Sequence, residues 1–212
     1  NAQWGNAPSV LVGDFLYSRA FQMLVTLGDM QIMSVMADTT NTIAEGEVLQ
    51  LVNAGDASTN EERYRRVIAC KTAKLFEAAA ECGALIGGAD KETCIELARY
   101  GHHIGMAFQL IDDMLDYNGS STEMGKNIGD DLAEGKPTLP LIYTLQFGDA
   151  DEAELIRHAI NEKSAAEMPR IIEIVQNNGA LQYTEQAAIR EVESALACLD
   201  SLPASRYRDE LV

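Results

Sequence analysis

Apolar residues recur along this chain at three- and four-residue spacing, and nothing in it alternates as a pair of strands would. Leu16, Ala20, Met23, Leu24 and Leu27 share one helix face, as do Val67, Cys70, Leu75 and Ala78, and again Ile95, Ala98, Ile104, Ala107, Phe108 and Ile111. Turn-forming clusters break the pattern at Gly28-Asp29, Asn53 to Asp56, Gly87 to Asp90, Asn118 to Ser121, Gly148-Asp149 and Asn177 to Gly179. They predict helices of about ten to twenty-five residues. Thr59-Asn60-Glu61-Glu62 opens one helix with an N-cap candidate and an acidic first turn, and Asp90 to Thr93 opens another. The expectation is an all-α chain. With no repeat or linker, residues 1–212 read as one helical domain.

Charge narrows the function classes. Thirty-three acidic against sixteen basic residues give a net charge of −17, which argues against a nucleic-acid surface, because phosphate backbones reward clustered Lys and Arg. No apolar run reaches the roughly twenty residues that span a bilayer, and the start does not resemble a signal peptide, so the expected location is cytoplasmic. The cysteines at 70, 82, 94 and 198 have no zinc-like spacing and read as small buried residues in a reducing cell.

The chemistry concentrates in FQLIDDMLDYN, Phe108 to Asn118. Asp112 and Asp116 lie four residues apart, one above the other on a helix, with Asp113 about a quarter-turn away. Acidic chains often place such a trio on a solvated face. Here the carboxylates emerge from Phe-Gln-Leu-Ile and flank Met-Leu, so the helix is apolar and the repulsion calls for a cation. Mg²⁺ fits, since one or two carboxylates, waters and substrate phosphates usually hold it. Downstream, Gly125-Lys126 and Gly135-Lys136 frame a loop in which Gly125, Gly129 and Gly135 allow close backbone approach, and the lysines bring point charges suited to a diphosphate. Pro137 is expected to open the next helix near Thr138.

Five blocks in order resemble the trans-polyprenyl diphosphate synthases: VLVGDFLYSRAFQ (10–22), IAEGEVLQL (43–51), CKTAKLFEAA (70–79), FQLIDDMLDY and GKNIGDDLAEGKPTLP. Among branches of that family, the wording most resembles bacterial octaprenyl diphosphate synthases, which serve the ubiquinone side chain. The resemblance implies an orthogonal helical bundle of the isoprenoid synthase type. It implies Asp112 and Asp116 as Mg²⁺ ligands, with Asp113 as a ligand or a partner behind them. Lys71, Thr72, Gln109, Lys126 and Lys136 match contacts to the allylic diphosphate. Apolar walls, to which Phe108, Tyr17 and Phe21 are candidates, would shield a carbocation that isopentenyl diphosphate attacks. His102 and His103 are not needed by that chemistry and read as packed helix histidines.

The same resemblance implies a homodimer and a second aspartate-rich motif upstream of the GDFLYSRAF block. That motif and its helices are missing from the sequence, so the chain reads as a fragment that is catalytically impaired by itself. Geranylgeranyl and other chain lengths are the competing products, and a silent subunit is the competing role.

Overall fold

The computed structural model describes residues 3–118 and 129–212. The all-α expectation holds: among the described residues every regular element is helical. In order these are α1 (Asn6–Thr26), α2 (Met30–Asn53), α3 (Glu61–Ile68), a π-helical turn (Ala69–Ala73), α4 (Lys74–Ile86), α5 (Lys91–Leu115), α6 (Asp130–Ala133), α7 (Leu139–Phe147), α8 (Ala150–Asn161), α9 (Met168–Asn177), α10 (Ala180–Cys198) and α11 (Arg206–Asp209). Among the described residues no helix is long and apolar enough to cross a membrane.

The chain divides into two compact units, Asn1–Asp38 and Thr39–Val212. The first holds α1 and the opening turns of α2. α1 buries none of its residues, although it carries Val10, Leu11, Phe15, Leu16 and Tyr17.

In the second unit the expected caps form. Asn60 accepts a hydrogen bond from the Arg63 N–H at 2.9 Å and Asp90 one from the Thr93 N–H at 2.8 Å, each satisfying an amide that the first helical turn leaves unpaired. The turn between α4 and α5 sends α5 back antiparallel, and two glycines set how close the pair comes. A Cβ on Gly101 would stand 2.4 Å from the Phe76 carbonyl oxygen, and one on Gly105 would stand 2.5 Å from the Ala73 Cα. At that separation the backbones pack with no side chain between them. On its other side α5 meets α10, whose Ala187 and Ala188 join Tyr64, Ile68, Met106, Leu110, Leu139 and Ile142 in one core. Each fully buried Leu there contributes roughly 2 kcal/mol. A second core gathers Tyr117, Leu132, Leu141, Ile156, Ile160, Ile171 and Val175 from the end of α5 through α9.

Polar ties brace the α3–α5–α10 arrangement. Glu191 accepts from Arg65 Nη1 at 2.9 Å and meets His103 Nδ1 at 2.8 Å, while Arg65 Nε donates to Glu61 at 2.7 Å. His102 lies 3.4 Å from Glu77. Both histidines are packed helix residues, as the sequence suggests. All four cysteines are free; Cys94 and Cys198 are buried as expected, whereas Cys70 and Cys82 are only half-buried.

The helix expected near Thr138 starts there, but a different proline sits in its first turn. α7 starts at Leu139 with Thr138 as its cap, and Pro140 rather than Pro137 occupies its first turn. Thr138 is extended, and the backbone between Lys136 and Thr138 closes on itself through a Thr138 N–H to Lys136 carbonyl bond of 3.1 Å. That small turn delays the helix.

Candidate metal and diphosphate site

α5 rises through an apolar core and delivers its three aspartates in different directions. At about 100° per residue, Asp116 lies some 40° around the axis from Asp112, and Asp113 some 100°. Asp113 is turned inward and only 3% exposed. Tyr64 Oη donates to its Oδ2 at 2.6 Å and Gln109 Nε2 to its Oδ1 at 2.7 Å. Burial pushes its carboxyl up to about 7; the Tyr64 hydrogen bond opposes the rise and the Asp131 charge adds to it.

Asp116 is half-buried. Its Oδ1 accepts the Gly129 N–H at 3.0 Å, whereas Oδ2 is buried with no hydrogen-bond partner among the described residues. Its pKa is also raised, first by burial and then by Asp131. An orphaned carboxylate oxygen amid like charge is a place where a cation would relieve both deficits. Among the described residues no three His, Cys, Asp or Glu side chains form a cluster able to hold an ion unaided.

The diphosphate candidates sit on special backbone. Lys71 and Thr72 occupy the π-helical turn, whose extra residue pushes the chain outward; such single turns recur at functional positions. α2 presses against this bulge: a Cβ on Gly46 would stand 2.6 Å from the Lys71 amide nitrogen. Lys71 Nζ donates to Gln50 at 2.6 Å and pairs with Glu47 at 3.2 Å. Thr72 donates to Gln109 Oε1 at 2.8 Å, which ties the bulge to the aspartate helix. Lys136 bridges Asp131 and Glu134, both at 2.8 Å. Burial disfavours its ammonium, but those two carboxylates hold its pKa above the ordinary lysine value. Lys126 and Gly125 lie outside the described residues.

Gly129 and Gly135 do have backbone that a side chain would strain, at φ 85° and 73°. Their close neighbours are protein, however. Gly129 caps α6 beside Met168 and points its N–H at Asp116, and Gly135 packs on Lys163 and accepts the Gly55 N–H at 2.8 Å.

Two residues were not singled out by sequence reasoning. Asp131 lies in the second Gly-Lys block and converges on Asp113, Asp116 and Lys136; its acidic pair directly after Gly129 was the available signal. Tyr64 had none, because its partner is 49 positions away.

Next to Asp112 an apolar groove of about 550 Å³ opens between α5 and α10. Ile104, Phe108 and Ile111 form one wall and Ala188, Ile189 and Val192 the other. Phe108 is 55% exposed and stacks near Phe76, with ring centroids 5.4 Å apart. Tyr17 and Phe21, 5.0 Å apart, belong to the first unit. Asp112 thus stands between a greasy surface and a polar, hydrogen-bonded one.

Asp113 predicts a pH dependence of stability. Its folded pKa, about 7, lies above the ordinary 3.8, so the folded state holds a proton there that the unfolded chain releases. That contribution is complete below about pH 4 and is lost as pH rises through 7. Without added metal, the stability of wild type relative to Asp113→Asn is expected to fall over this range by at most about 4 kcal/mol. Denaturant unfolding at several pH values checks this; a constant difference would remove the assignment.

Residues 1–176 match the family described as Polyprenyl synthetase. The chain is 48% identical over its whole length to the octaprenyl diphosphate synthase of Escherichia coli K12, of which it covers 66%. It is 47% identical, again over its whole length, to the all-trans-nonaprenyl-diphosphate synthase (geranyl-diphosphate specific) of Rhodobacter capsulatus, covering 65%. A Caulobacter crescentus polyprenyl synthase solved with calcium and isoprenyl diphosphate superposes with a TM-score of 0.95 at 42% identity, over 99% of this chain and 65% of that one. The chain therefore spans just under two thirds of the length of these relatives.

Proposed function

Because the chain belongs to the polyprenyl synthetase family, we propose that it carries the metal and diphosphate site of a trans-prenyl chain-elongating transferase, with octaprenyl diphosphate as the product. The reaction joins isopentenyl diphosphate to an allylic diphosphate, such as farnesyl diphosphate, one five-carbon unit at a time. The observation that carries this reading is Asp116 Oδ2, buried and without a hydrogen-bond partner among the described residues, at the end of a helix that also displays Asp112 beside an apolar groove.

Asp112 and Asp116 would hold Mg²⁺, with Asp113 behind them. When bound, the ion neutralises charge that builds on the departing diphosphate. Lys71, Lys136 and Lys126 place further positive charge at the same group, and Thr72 and Gln109 offer hydrogen bonds to it. In the structure Lys71 and Lys136 rest on Glu47, Asp131 and Glu134, so binding a diphosphate exchanges carboxylate partners for phosphate oxygens. The groove at Phe108 supplies apolar surface that excludes water from the electrophile left on the prenyl chain. The diphosphate that leaves is itself a base for the proton released when the new alkene forms.

The octaprenyl assignment rests on the similarity to the Escherichia coli enzyme, and its use would be the ubiquinone side chain. A cytoplasmic homodimer is the working form that accords with the resemblance, and the exposed apolar side chains of α1 are surface that an interface would cover.

The test is binding and turnover in the complete protein. Inorganic pyrophosphate should raise the unfolding temperature only when Mg²⁺ is present, and farnesyl plus isopentenyl diphosphate should yield an eight-isoprene product on chromatography. Absence of any magnesium-dependent shift would overturn the site, and a shorter or longer product the branch.

A further inference from the structure

A chain of side-chain hydrogen bonds runs from α3 to the π-helical turn by way of α5. Tyr64 Oη donates to Asp113 Oδ2 at 2.6 Å, Gln109 Nε2 donates to Asp113 Oδ1 at 2.7 Å, and Thr72 Oγ1 donates to Gln109 Oε1 at 2.8 Å. Tyr64 and Asp113 are buried, at 5% and 3% exposure, while Gln109 and Thr72 are half-buried. The chain therefore starts in the core and ends where a ligand can reach it.

Its direction is set at Asp113, both of whose oxygens accept, so Gln109 turns its NH₂ edge to Asp113 and its carbonyl to Thr72. Thr72 then spends its single proton on that carbonyl. What remains for a ligand is the second N–H of Gln109, on an amide that cannot flip without breaking bonds at both ends. Without the carboxylate, rotation of the amide by half a turn would cost little and would expose its carbonyl oxygen, which repels a phosphate. Tyr64 matters because it is the donor on the far oxygen of Asp113, and it stops the carboxylate from swinging toward solvent.

We propose that Tyr64 and Asp113 are positioning residues, which lock the Gln109 amide and the Thr72 hydroxyl in the one orientation that offers a donor to the diphosphate, and that Asp113 is not a metal ligand. Both of its oxygens are already occupied by side-chain donors within the core, whereas Asp116 keeps an oxygen free. The inference rests on the reading of this region as a diphosphate site. It goes beyond that reading by separating the three aspartates into two functions and by adding Tyr64, a buried residue that meets the site through Asp113.

The experiment compares Tyr64→Phe and Asp113→Asn, both close in shape to the native side chains, with Asp112→Asn in the complete protein. Calorimetry measures pyrophosphate affinity in saturating Mg²⁺, and steady-state kinetics gives kcat, the KM for the allylic diphosphate and the magnesium concentration at half-saturation. Loss of one charge-assisted hydrogen bond predicts that Tyr64→Phe and Asp113→Asn weaken pyrophosphate binding and raise the allylic KM about five- to twentyfold. kcat should change less than about threefold, and the magnesium requirement less than about twofold. Asp112→Asn should instead raise the magnesium requirement.

A lowered unfolding temperature with unchanged affinity and KM would make the network a structural brace and overturn the proposal. So would a magnesium requirement in Asp113→Asn that rises as it does in Asp112→Asn. If one variant fails to fold, the other decides, since both are predicted to free the same amide. If the wild-type protein itself neither binds pyrophosphate nor turns over, the reading of the site falls and takes this inference with it, a result distinct from variant-specific failure.

Discussion

Asp112→Ala in the complete protein is expected to lower turnover about a thousandfold while leaving the helical content and unfolding temperature close to wild type. A bound divalent ion contributes several kcal/mol to stabilising charge on a leaving phosphoryl oxygen, and about 4 kcal/mol corresponds to that factor in rate. The fold should tolerate the change because Asp112 is half-exposed at the mouth of a groove. Its helix neighbours on that face, Phe108 and Leu115, remain in place. Steady-state kinetics with farnesyl and isopentenyl diphosphates, beside a circular dichroism melt, checks both halves. Activity within about tenfold of wild type would remove Asp112 from the metal site.

Gly101→Ala tests the architecture. One added methyl group would stand 2.4 Å from the Phe76 carbonyl oxygen, a backbone atom that cannot rotate away, so α4 and α5 must separate or shift. Overpacking of this kind costs about 3 kcal/mol, which in a chain of this length lowers the unfolding temperature by about 6–12 °C. Gly83 supplies the control. It lies in the same helix pair with open space where a Cβ would go, and Ala there should stabilise the helix by about 0.5–1 kcal/mol. Equal effects of the two substitutions would mean that α4 and α5 are not in the close contact described.

The same close contact explains why part of the molecule was legible in the sequence and part was not. The helices could be read because their apolar spacing and their caps, Asn60 and Asp90, are local: each is decided within one or two turns. The aspartates could be read for the same reason, since Asp112 and Asp116 are four residues apart on one helix. Gly46, Gly101 and Gly105 drew no attention, because a glycine inside a helix gives no hint of the backbone that will lie against it. Tyr64 illustrates the limit best. In sequence it is one aromatic among helix-forming neighbours, and only the antiparallel return of α5 brings it to Asp113. The glycine-rich loop shows the converse. Its positive-φ glycines were visible, yet what Gly129 and Gly135 approach is Met168, Lys163 and Gly55, which no loop pattern encodes.

Charge gives the site its character. Beyond burial, Asp131 raises the cost of ionising Asp113 and Asp116, while Lys136 is drawn to Asp131 and Glu134. A protein that gathered these groups only for stability would pair each carboxylate. Leaving Asp116 Oδ2 bare inside the fold costs stability unless something binds there.

The most direct measurement is a crystal structure of the complete protein grown with Mg²⁺ and pyrophosphate. A magnesium ion about 2.1 Å from Asp112 and from Asp116 Oδ2, bridged to a phosphate oxygen, with Asp113 still held by Tyr64 and Gln109, is the predicted result. Pyrophosphate bound elsewhere, with Asp112 and Asp116 free of metal, would contradict it.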